Sequence, residues 1–424
     1  MERADLEQVQ IERLQSTLNR VTRNVAFYKQ SFDSHGVSVD RIKSLRDLKE
    51  LPFTTKDDLR RSYPYDMFAV PLKDIVRIHS SSGTTGRPIV TGYTRNDLNH
   101  WSEAVARLLV AAGVTEHDFV QVAFDYGLFT GGFGFHYGAE RIGASVIPSS
   151  SGSNVQKQVL IMKDYKTSVL VSTPGYTLSI INALEEKSIK SEDLRLKIGV
   201  FGAEPWSEKI RRTLQEKLPI QAYDTYGLSE LMGPGVSGEC ERKDGLHINE
   251  DMFIAEIIDP RTAEVLPQGA EGELVITNIA KEGCPLIRYR TGDLASLIPG
   301  PCACGRTFAR MSRVFHRTDD MIIWSGAKVL PSQIEAILAE AEGVEPNYRI
   351  VLDNAGNQDS FEVQVEVSEN ISFDEIKKLQ EMKASIASRI KEDLGIPAKV
   401  TLVERRTLVS TSGSKIQKVV DNRK

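Results

Sequence analysis

Hydrophobic positions recur along the chain at two spacings, one typical of helices and one of strands. Near the N-terminus, Leu14, Leu18, Val21 and Val25 follow helical spacing and predict an opening amphipathic helix. From about residue 95, helical stretches alternate with short β-branched runs. These predict a helix over 101–112 ended by Gly113, and strands over 119–124, 144–147, 168–172 and 197–201. Such alternation indicates a largely parallel sheet covered by helices on both faces.

The pattern changes after about residue 250. Runs at 253–258 and 273–277 are separated by turn residues, as in an antiparallel sheet or a small barrel. Farther on, apolar residues from Phe373 to Leu394 predict a long helix, started by the capping pair Ser372 and Glu375 and ended by Gly395. Strands are predicted beside it over 349–352, 361–367 and 399–403. We therefore expect an α/β fold with a large N-terminal domain (1–318) of stacked sheets, helices and a small β-subdomain, and a small α+β C-terminal domain (319–424).

Composition excludes several classes of function. The 424 residues are 41% hydrophobic and 26% charged, which is ordinary for a globular chain too long for one core. A net charge of −5 gives no support to a nucleic-acid partner. No apolar run approaches the roughly 20 residues of a membrane span, and the first residues lack the apolar core of a signal peptide. Four cysteines do not make a disulfide scaffold. We expect a cytoplasmic protein without membrane or nucleic-acid partners.

The most polar motif is the Ser/Thr/Gly-rich segment 80–88, which follows a strand-like run. Glycines allow backbone N–H groups to approach an anion, hydroxyls add donors, and Arg87 adds a fixed positive charge. This chemistry suits a polyphosphate, although the spacing of a Walker A loop is absent. A flexible Ser/Gly linker is the alternative. The candidate phosphate-binding residues are Ser81, Ser82, Gly83, Thr84, Thr85, Gly86 and Arg87.

Three cysteines and one histidine form a candidate metal site. Cys240 and His247 lie close in sequence, and Cys302 and Cys304 flank one alanine in a tight turn. Neither half has the familiar C-x2-C spacing. Three thiolates and one imidazole would nevertheless complete a closed, structural Zn²⁺ site. The alternative is unpaired reduced cysteines. Cys284 is predicted to be buried and inert.

Six motifs follow one another along the chain in a distinctive order. They are the segment 80–88, Gly-Ala-Glu-Pro at 202–205, Tyr-Asp-Thr-Tyr-Gly-Leu-Ser-Glu at 223–230, Tyr-Arg-Thr-Gly-Asp at 289–293, Arg-Thr-Asp-Asp at 317–320, and Gly-Ser-Lys at 413–415. In this order they resemble the adenylate-forming superfamily of acyl-CoA synthetases. Segments 52–59, 126–132, 136–140 and 243–247 are similar to its phenylacetate–CoA ligase branch. The resemblance runs from about residue 20 to the C-terminus.

The resemblance implies a ligase that activates an aryl acid, phenylacetate or a close relative, with ATP and Mg²⁺. The acyl-adenylate then reacts with coenzyme A. Such catalysis is mainly positioning and charge stabilisation. The resemblance places the adenine and ribose at two groups of residues besides the phosphate loop. They are Gly202, Ala203, Glu204 and Pro205, and then Tyr223, Asp224, Thr225, Tyr226, Asp293 and Arg317.

The catalytic roles implied by the resemblance fall on Arg87 and Lys415, with Glu230 as a ligand of Mg²⁺. Lys418 is the alternative to Lys415, because the usual glycine before the lysine is serine here. Asp319 would lie at the hinge of a mobile C-terminal domain. Gly326 would border the channel for the pantetheine arm of coenzyme A.

A glycine- and aromatic-rich segment would form the aryl pocket. Its candidate residues are Tyr126, Phe129, Phe133, His136 and Tyr137. Ordinary hydrophobic packing is the alternative for each ring taken singly.

Other functions remain as alternatives. They are a benzoate-type ligase, an enzyme that loads a carrier-protein thiol, a phosphate-binding NTPase or kinase, and an inactive nucleotide-binding scaffold. A homodimer is an open prediction, because no motif defines the oligomeric state.

Overall fold

The structure is a computed structural model. It describes residues 1–81, 88–152, 154–314, 316–318, 322–324, 327–329, 331–341, 343–355, 358–368, 376–405, 407–408 and 418–423. The chain divides into a first unit, Met1–Trp206 with Arg211–Val314, and a second unit, Ser207–Ile210 with Phe315–Lys424. The sequence places its domain boundary near 318–320, a few residues beyond this division.

The helices follow the chain in a regular succession. They are α1 (Arg3–Asn24), α2 (Ala26–Ser34), α3 (Lys56–Arg61), α4 (Arg95–Ala111), α5 (Gly131–Ile142), α6 (Val155–Asp164), α7 (Pro174–Glu186), α8 (Glu208–Lys217), α9 (Pro331–Glu340) and α10 (Ile376–Leu394). Helix α1 buries the apolar face that its spacing predicts. Helix α4 begins six residues earlier than predicted, because Thr94 and Asp97 form a capping box at its start. Within the described residues, no helix is both long and apolar enough to cross a membrane.

The strands of the first unit are β1 (Arg77–Ser80), β2 (Val90–Tyr93), β3 (Phe119–Val122), β4 (Ser145–Ile147), β5 (Val169–Ser172), β6 (Ile198–Gly202), β7 (Gln221–Leu228), β8 (Gly233–Glu239), β9 (Leu246–Ile248), β10 (Phe253–Ile258), β11 (Glu271–Asn278), β12 (Tyr289–Ile298) and β13 (Arg310–Met311). Strands β1 and β2 form a separate antiparallel pair. The others follow the order β10-β11-β12-β13-β9-β8-β7-β6-β5-β3-β4.

The strand pairing in this large sheet changes from parallel to antiparallel at one point. Strands β3 to β7 pair in parallel, as the βα alternation predicts. The pairing becomes antiparallel at β7–β8 and remains so to β10. The predicted parallel and antiparallel strand arrangements are both confirmed, but they belong to one sheet. The carboxyl ends of β6 and β7 lie side by side at the end of the parallel part, where α/β sheets commonly bind ligands.

The second unit is α+β and has its own core. Its strands are β14 (His316–Arg317), β15 (Ile322–Trp324), β16 (Ala327–Val329), β17 (Val344–Ala355), β18 (Gln358–Val367), β19 (Lys399–Val403) and β20 (Val419–Asp421). Four of them form a sheet in the order β19-β18-β17-β20. Ile386 and Ile390 of α10 are buried in the core of this unit. Gly395 ends α10 in the left-handed conformation that its type favours, while the predicted start at Ser372 and Glu375 lies outside the described residues.

Candidate active site

The phosphate-loop candidate lies at the closed end of the β1–β2 hairpin. Ser80 pairs with Val90. The N–H of Ser81 donates to the Ile89 carbonyl at 2.9 Å, and the Ile89 N–H donates back to Ser81 Oγ at 3.0 Å. The segment therefore joins two paired strands of one unit. Its other candidates, Ser82, Gly83, Thr84, Thr85, Gly86 and Arg87, lie outside the described residues.

The Gly-Ala-Glu-Pro candidate for adenine lies at the carboxyl end of β6. A Cβ on Gly202 would lie 2.5 Å from the Thr225 carbonyl oxygen, so only glycine allows β6 and β7 to approach this closely. Ala203 has a positive φ of 67°. Glu204 accepts a 2.6 Å hydrogen bond from the Gly175 N–H in the first turn of α7. The turn from Gly202 to Pro205 is thus fixed in place by β7 and α7.

Tyr226 and Asp293 are distant in sequence and meet in the structure. The Tyr226 hydroxyl donates a 2.6 Å hydrogen bond to Oδ2 of Asp293. Asp293 is buried on β12, and its N–H donates to Thr291 Oγ1 at 3.0 Å. Two predicted nucleotide-binding side chains therefore form one polar group, which places an acceptor carboxylate beside an aromatic ring.

Asp224 makes contacts that its sequence motif does not reveal. Its carboxylate is buried and accepts a 2.8 Å hydrogen bond from Arg313 Nε. The Asp224 N–H donates to Glu239, whose carboxylate is in turn paired with Arg211 at 2.7 Å. The pKa of Asp224 is raised to about 6, chiefly by burial; Arg313 acts to lower the pKa and Glu239 acts to raise it. This places Asp224 in a buried charge network, and the sequence motifs gave no signal for its arginines.

The remaining residues of this motif are anchored by their neighbours. Tyr223 is buried, with the Lys243 ammonium 5.0 Å from its ring centroid. Thr225 Oγ1 donates to the Phe201 carbonyl at 3.2 Å. Glu230, the candidate magnesium ligand, is partly buried. It lies between Ser229, whose hydroxyl is 2.9 Å from that of Thr130, and Leu231.

The aromatic candidates for the aryl pocket form one cluster around the start of α5. Tyr126 and Phe133 meet edge to face at 5.3 Å, and Phe133 stacks on Tyr137 at 6.3 Å. The Tyr126 hydroxyl lies 3.3 Å from His136 Nδ1. Phe129 packs against Gly131, at which a Cβ would lie 2.6 Å from its ring. Aromatic side chains that contact one another in this way occur both in binding pockets and in hydrophobic cores.

Two residues of β1 join this cluster. The Arg77 guanidinium lies 4.7 Å from the Tyr137 ring centroid and 5.1 Å from that of Phe133. His79 is buried, and its ring lies 5.5 Å from Phe133. Burial lowers the pKa of His79 to about 4, so the ring is neutral at physiological pH. Because Ser80 follows directly, β1 links the aromatic cluster to the phosphate-loop hairpin.

The predicted metal ligands lie together. Sγ of Cys240 and Sγ of Cys302 are 3.9 Å apart, and Sγ of Cys304 is 3.4 Å from Nε2 of His247. One ligand atom of each lies within 4.8 Å of the other three. Tetrahedral zinc, with bonds of about 2.3 Å to sulfur and about 2.0 Å to nitrogen, separates two sulfurs by about 3.8 Å and a sulfur from a nitrogen by about 3.5 Å. These two pairs are therefore spaced as tetrahedral zinc would require, and three thiols with one imidazole are a donor set of the structural type.

The surroundings of the cluster also suit a metal. His247 Nδ1 lies 3.3 Å from the Phe308 carbonyl oxygen, which orients the ring with Nε2 toward the thiols. Burial lowers the pKa of His247 and favours the neutral, ligating form. Cys284 is buried elsewhere, as predicted.

The second unit contains the remaining candidates. Arg317 lies on β14 and is partly buried. Lys418 donates to Glu335 at 2.8 Å and lies 5.2 Å from the Tyr348 ring centroid. Lys415, Asp319 and Gly326 lie outside the described residues. Lys418 is therefore engaged inside its own unit, and the catalytic role of Lys415 stays a prediction.

Sequence comparison covers most of the chain. The family model of the AMP-binding enzymes matches residues 8–280, and that of the AMP-binding enzyme C-terminal domain matches residues 326–423. The phenylacetate-coenzyme A ligase of Aromatoleum evansii is 43% identical over 99% of this chain and 95% of its own. That of Pseudomonas putida is 46% identical over 96% of this chain and 92% of its own.

Structural comparison gives the same fold. The chain superposes with a TM-score of 0.91 on a 2-hydroxyisobutyryl-CoA ligase in the postadenylation state in complex with 2-HIB-AMP. The two are 28% identical, and the match covers 100% of this chain and 91% of the other. The predicted fold class is thereby confirmed. The chain belongs to the phenylacetate-coenzyme A ligase family of AMP-binding enzymes.

Proposed function

We propose that this protein is an AMP-forming aryl acid–coenzyme A ligase acting on phenylacetate or a close arylacetate. The main structural support is the hydrogen bond between Tyr226 and Asp293, which brings together two candidate nucleotide-binding residues. It occurs in a chain that is 43% and 46% identical to phenylacetate-coenzyme A ligases.

The reaction has two steps. A carboxylate oxygen of the acid attacks the α-phosphorus of ATP, the bond from that phosphorus to the bridging oxygen breaks, and pyrophosphate leaves. The thiolate of coenzyme A, after losing its proton, then attacks the acyl carbon, and AMP leaves as the thioester forms. The first step replaces oxide, a very poor leaving group on the acyl carbon, by AMP, and the second step expels that AMP. The side chains therefore mainly position the reactants and stabilise charge.

The nucleotide is held by first-unit residues in this proposal. The loop from Ser81 to Arg87 holds the β- and γ-phosphates through N–H groups, hydroxyls and the guanidinium. The turn from Gly202 to Pro205 and the Tyr226 ring flank the adenine. Asp293 accepts from the ribose hydroxyls.

Charge at the α-phosphate would be balanced by Lys415 and by Mg²⁺, with Glu230 as a ligand of the metal. The cation would neutralise phosphate charge. Arg317 adds a contact to the ribose or a phosphate, Asp319 acts as the hinge, and Gly326 leaves room for the pantetheine arm.

The aryl group would lie against the aromatic cluster defined by Tyr126, Phe129, Phe133, His136 and Tyr137. Flat rings pack well on such faces and edges. A benzoate-type acid is the alternative substrate, and the depth of the pocket would distinguish the two.

We further propose that the Cys240, His247, Cys302 and Cys304 cluster holds one structural Zn²⁺. The support is the agreement of its sulfur–sulfur and sulfur–nitrogen distances with tetrahedral geometry. A zinc ion here would connect the turn after β8 to the turn after β12. Cysteines that form no disulfide bond also support a cytoplasmic location, and a homodimer remains a prediction.

A direct assay tests the proposed function. Purified protein, ATP, Mg²⁺ and coenzyme A are incubated with phenylacetate, ring-hydroxylated phenylacetates, benzoate and a short aliphatic acid. We expect AMP, pyrophosphate and an aryl thioester in equal amounts with phenylacetate. Release of ADP instead would favour a phosphate-binding NTPase, and thioester formation only with a carrier protein would favour a loading enzyme.

A further inference from the structure

A buried lysine lies between two parts of the nucleotide site that the motifs do not connect. Lys281 follows β11, and its side chain is only 2% exposed. Lysine is among the residues least often buried, since removing an ammonium from water is costly unless partners replace the solvent. Its position therefore needs an explanation beyond chain packing.

The partners of Lys281 come from two separate segments. Nζ donates to the Leu231 carbonyl at 2.8 Å and to Thr91 Oγ1 at 2.5 Å. The same nitrogen lies 4.2 Å from the Tyr93 ring centroid, within range of a cation–π contact. Thr91 and Tyr93 belong to β2 of the phosphate-loop hairpin, and Leu231 directly follows Glu230.

The backbone on each side of this lysine is also fixed. The side-chain amide of Asn278 accepts from the Lys281 N–H at 3.0 Å and donates to the Leu231 carbonyl at 3.3 Å. On the other side of Glu230, the Ser229 hydroxyl contacts Thr130 at 2.9 Å. Glu230 thus lies between two residues, Ser229 and Leu231, that are each fixed by a hydrogen bond. Lys281 binds Leu231 and also binds Thr91 of the hairpin.

Electrostatics agree with a bridging role. Burial lowers the pKa of Lys281, while the charges of Cys284, Asp97 and Glu230 raise it. The Lys281 ammonium is therefore stabilised in part by the Glu230 carboxylate. It also binds the carbonyl of Leu231, the residue that follows Glu230.

We propose that Lys281 is a positioning residue that fixes Glu230 relative to the phosphate-loop hairpin and so sets the geometry for MgATP. The inference rests on the proposed function, because it takes the hairpin as the phosphate site and Glu230 as the magnesium ligand. Lys281 would contact neither ATP nor the metal and would act through Thr91 and Leu231.

Thr91→Val offers a mild test, because it removes the hydrogen bond to Lys281 at the hairpin but keeps the side-chain volume. Thr91→Ser is the conservative variant that keeps the acceptor. Thr167→Val is the matched control. Thr167 precedes β5 and is also buried, and the substitution removes the 2.7 Å hydrogen bond that its hydroxyl donates to Gln121. Thermal unfolding of all three measures their effects on stability.

The readouts are KM for MgATP, KM for the aryl acid and the Mg²⁺ concentration giving half the maximal rate in aryl acid-dependent pyrophosphate exchange. We expect Thr91→Val to raise KM for MgATP about tenfold and to shift the Mg²⁺ midpoint upward, as for loss of one hydrogen bond to a charged group. KM for the aryl acid should stay within about twofold, and Thr91→Ser should restore the wild-type value.

Two results would overturn the inference, and they are distinguishable from each other. If wild type exchanges pyrophosphate but Thr91→Val changes only its melting temperature, as Thr167→Val does, Lys281 is merely structural. If the wild-type protein shows no aryl acid-dependent exchange, the proposed function fails and this inference fails with it.

Discussion

The hydroxyl of Tyr226 on β7 donates a 2.6 Å hydrogen bond to the carboxylate of Asp293 on β12. These strands are not neighbours in the sheet, since β8, β9 and β13 lie between them. The contact is therefore a product of the tertiary fold. It presents an oriented carboxylate at the place where we propose that ribose binds.

Loss of this contact should weaken nucleotide binding. Tyr226→Phe keeps the ring for adenine but removes the donor that orients Asp293, and we expect KM for MgATP to rise about fivefold to tenfold. KM for the aryl acid should be unchanged. Tyr165→Phe, at an exposed tyrosine, is the matched control. An unchanged KM for MgATP in Tyr226→Phe would remove Tyr226 from the nucleotide site.

The buried carboxyl of Asp224 should make stability depend on pH. Burial raises its pKa from the ordinary 3.8 to about 6, so the folded protein binds this proton more tightly than the unfolded chain does. Its contribution to the free energy of unfolding is full below about pH 4 and decreases as pH rises through about 6, by up to about 3 kcal/mol.

Asp224→Asn removes this titration, so the free energy of unfolding of the variant should rise relative to wild type between pH 4 and 7. Urea unfolding at several pH values measures the difference. Asp164→Asn, at an exposed carboxylate, should follow the wild-type profile. Parallel profiles for Asp224→Asn and wild type would show that Asp224 does not titrate in this range.

Zinc should be a structural part of the protein. Protein purified without added metal should contain about one zinc per chain, and a strong chelator should lower its melting temperature. Cys302→Ser should lose the metal, whereas Cys284→Ala should retain it. Elemental analysis gives the stoichiometry, and a metal-free protein whose melting temperature is insensitive to the chelator would contradict the site.

The aromatic cluster should control selection of the acid. Phe133→Ala removes a ring that contacts Tyr126, Tyr137 and Arg77, and we expect KM for phenylacetate to rise at least about tenfold. KM for MgATP should stay near the wild-type value. Phe119→Ala, at an exposed ring of β3, is the control. Equal KM values for phenylacetate in Phe133→Ala and wild type would assign the cluster to core packing.

Much of the fold was predictable because local pattern and tertiary environment agree. Strands β10 and β19 have the predicted bounds, and Gly395 ends α10 as expected. The apolar spacing of these elements matches the faces they bury. The predicted start of α4 was wrong because the first turn of this helix is polar. That turn depends on the capping box of Thr94 and Asp97, which the apolar spacing does not reveal.

The site was predictable where it consists of contiguous motifs and not where it depends on distant partners. Cys240 and Cys302 were grouped from sequence and do lie together. Arg313 and Lys281 belong to no sequence motif, because the role of each depends on a partner many residues away in the chain. Buried charges of this kind become visible only once the sheet brings their partners together.

The proposed function requires formation of an acyl-adenylate, which exchange of labelled pyrophosphate into ATP detects without coenzyme A. With ATP and Mg²⁺ but without coenzyme A, we predict exchange that requires phenylacetate, and Lys415→Ala should abolish it while sparing thioester formation from pre-made phenylacetyl-adenylate. Absence of exchange with every aryl acid, or appearance of ADP in place of AMP, would contradict the account.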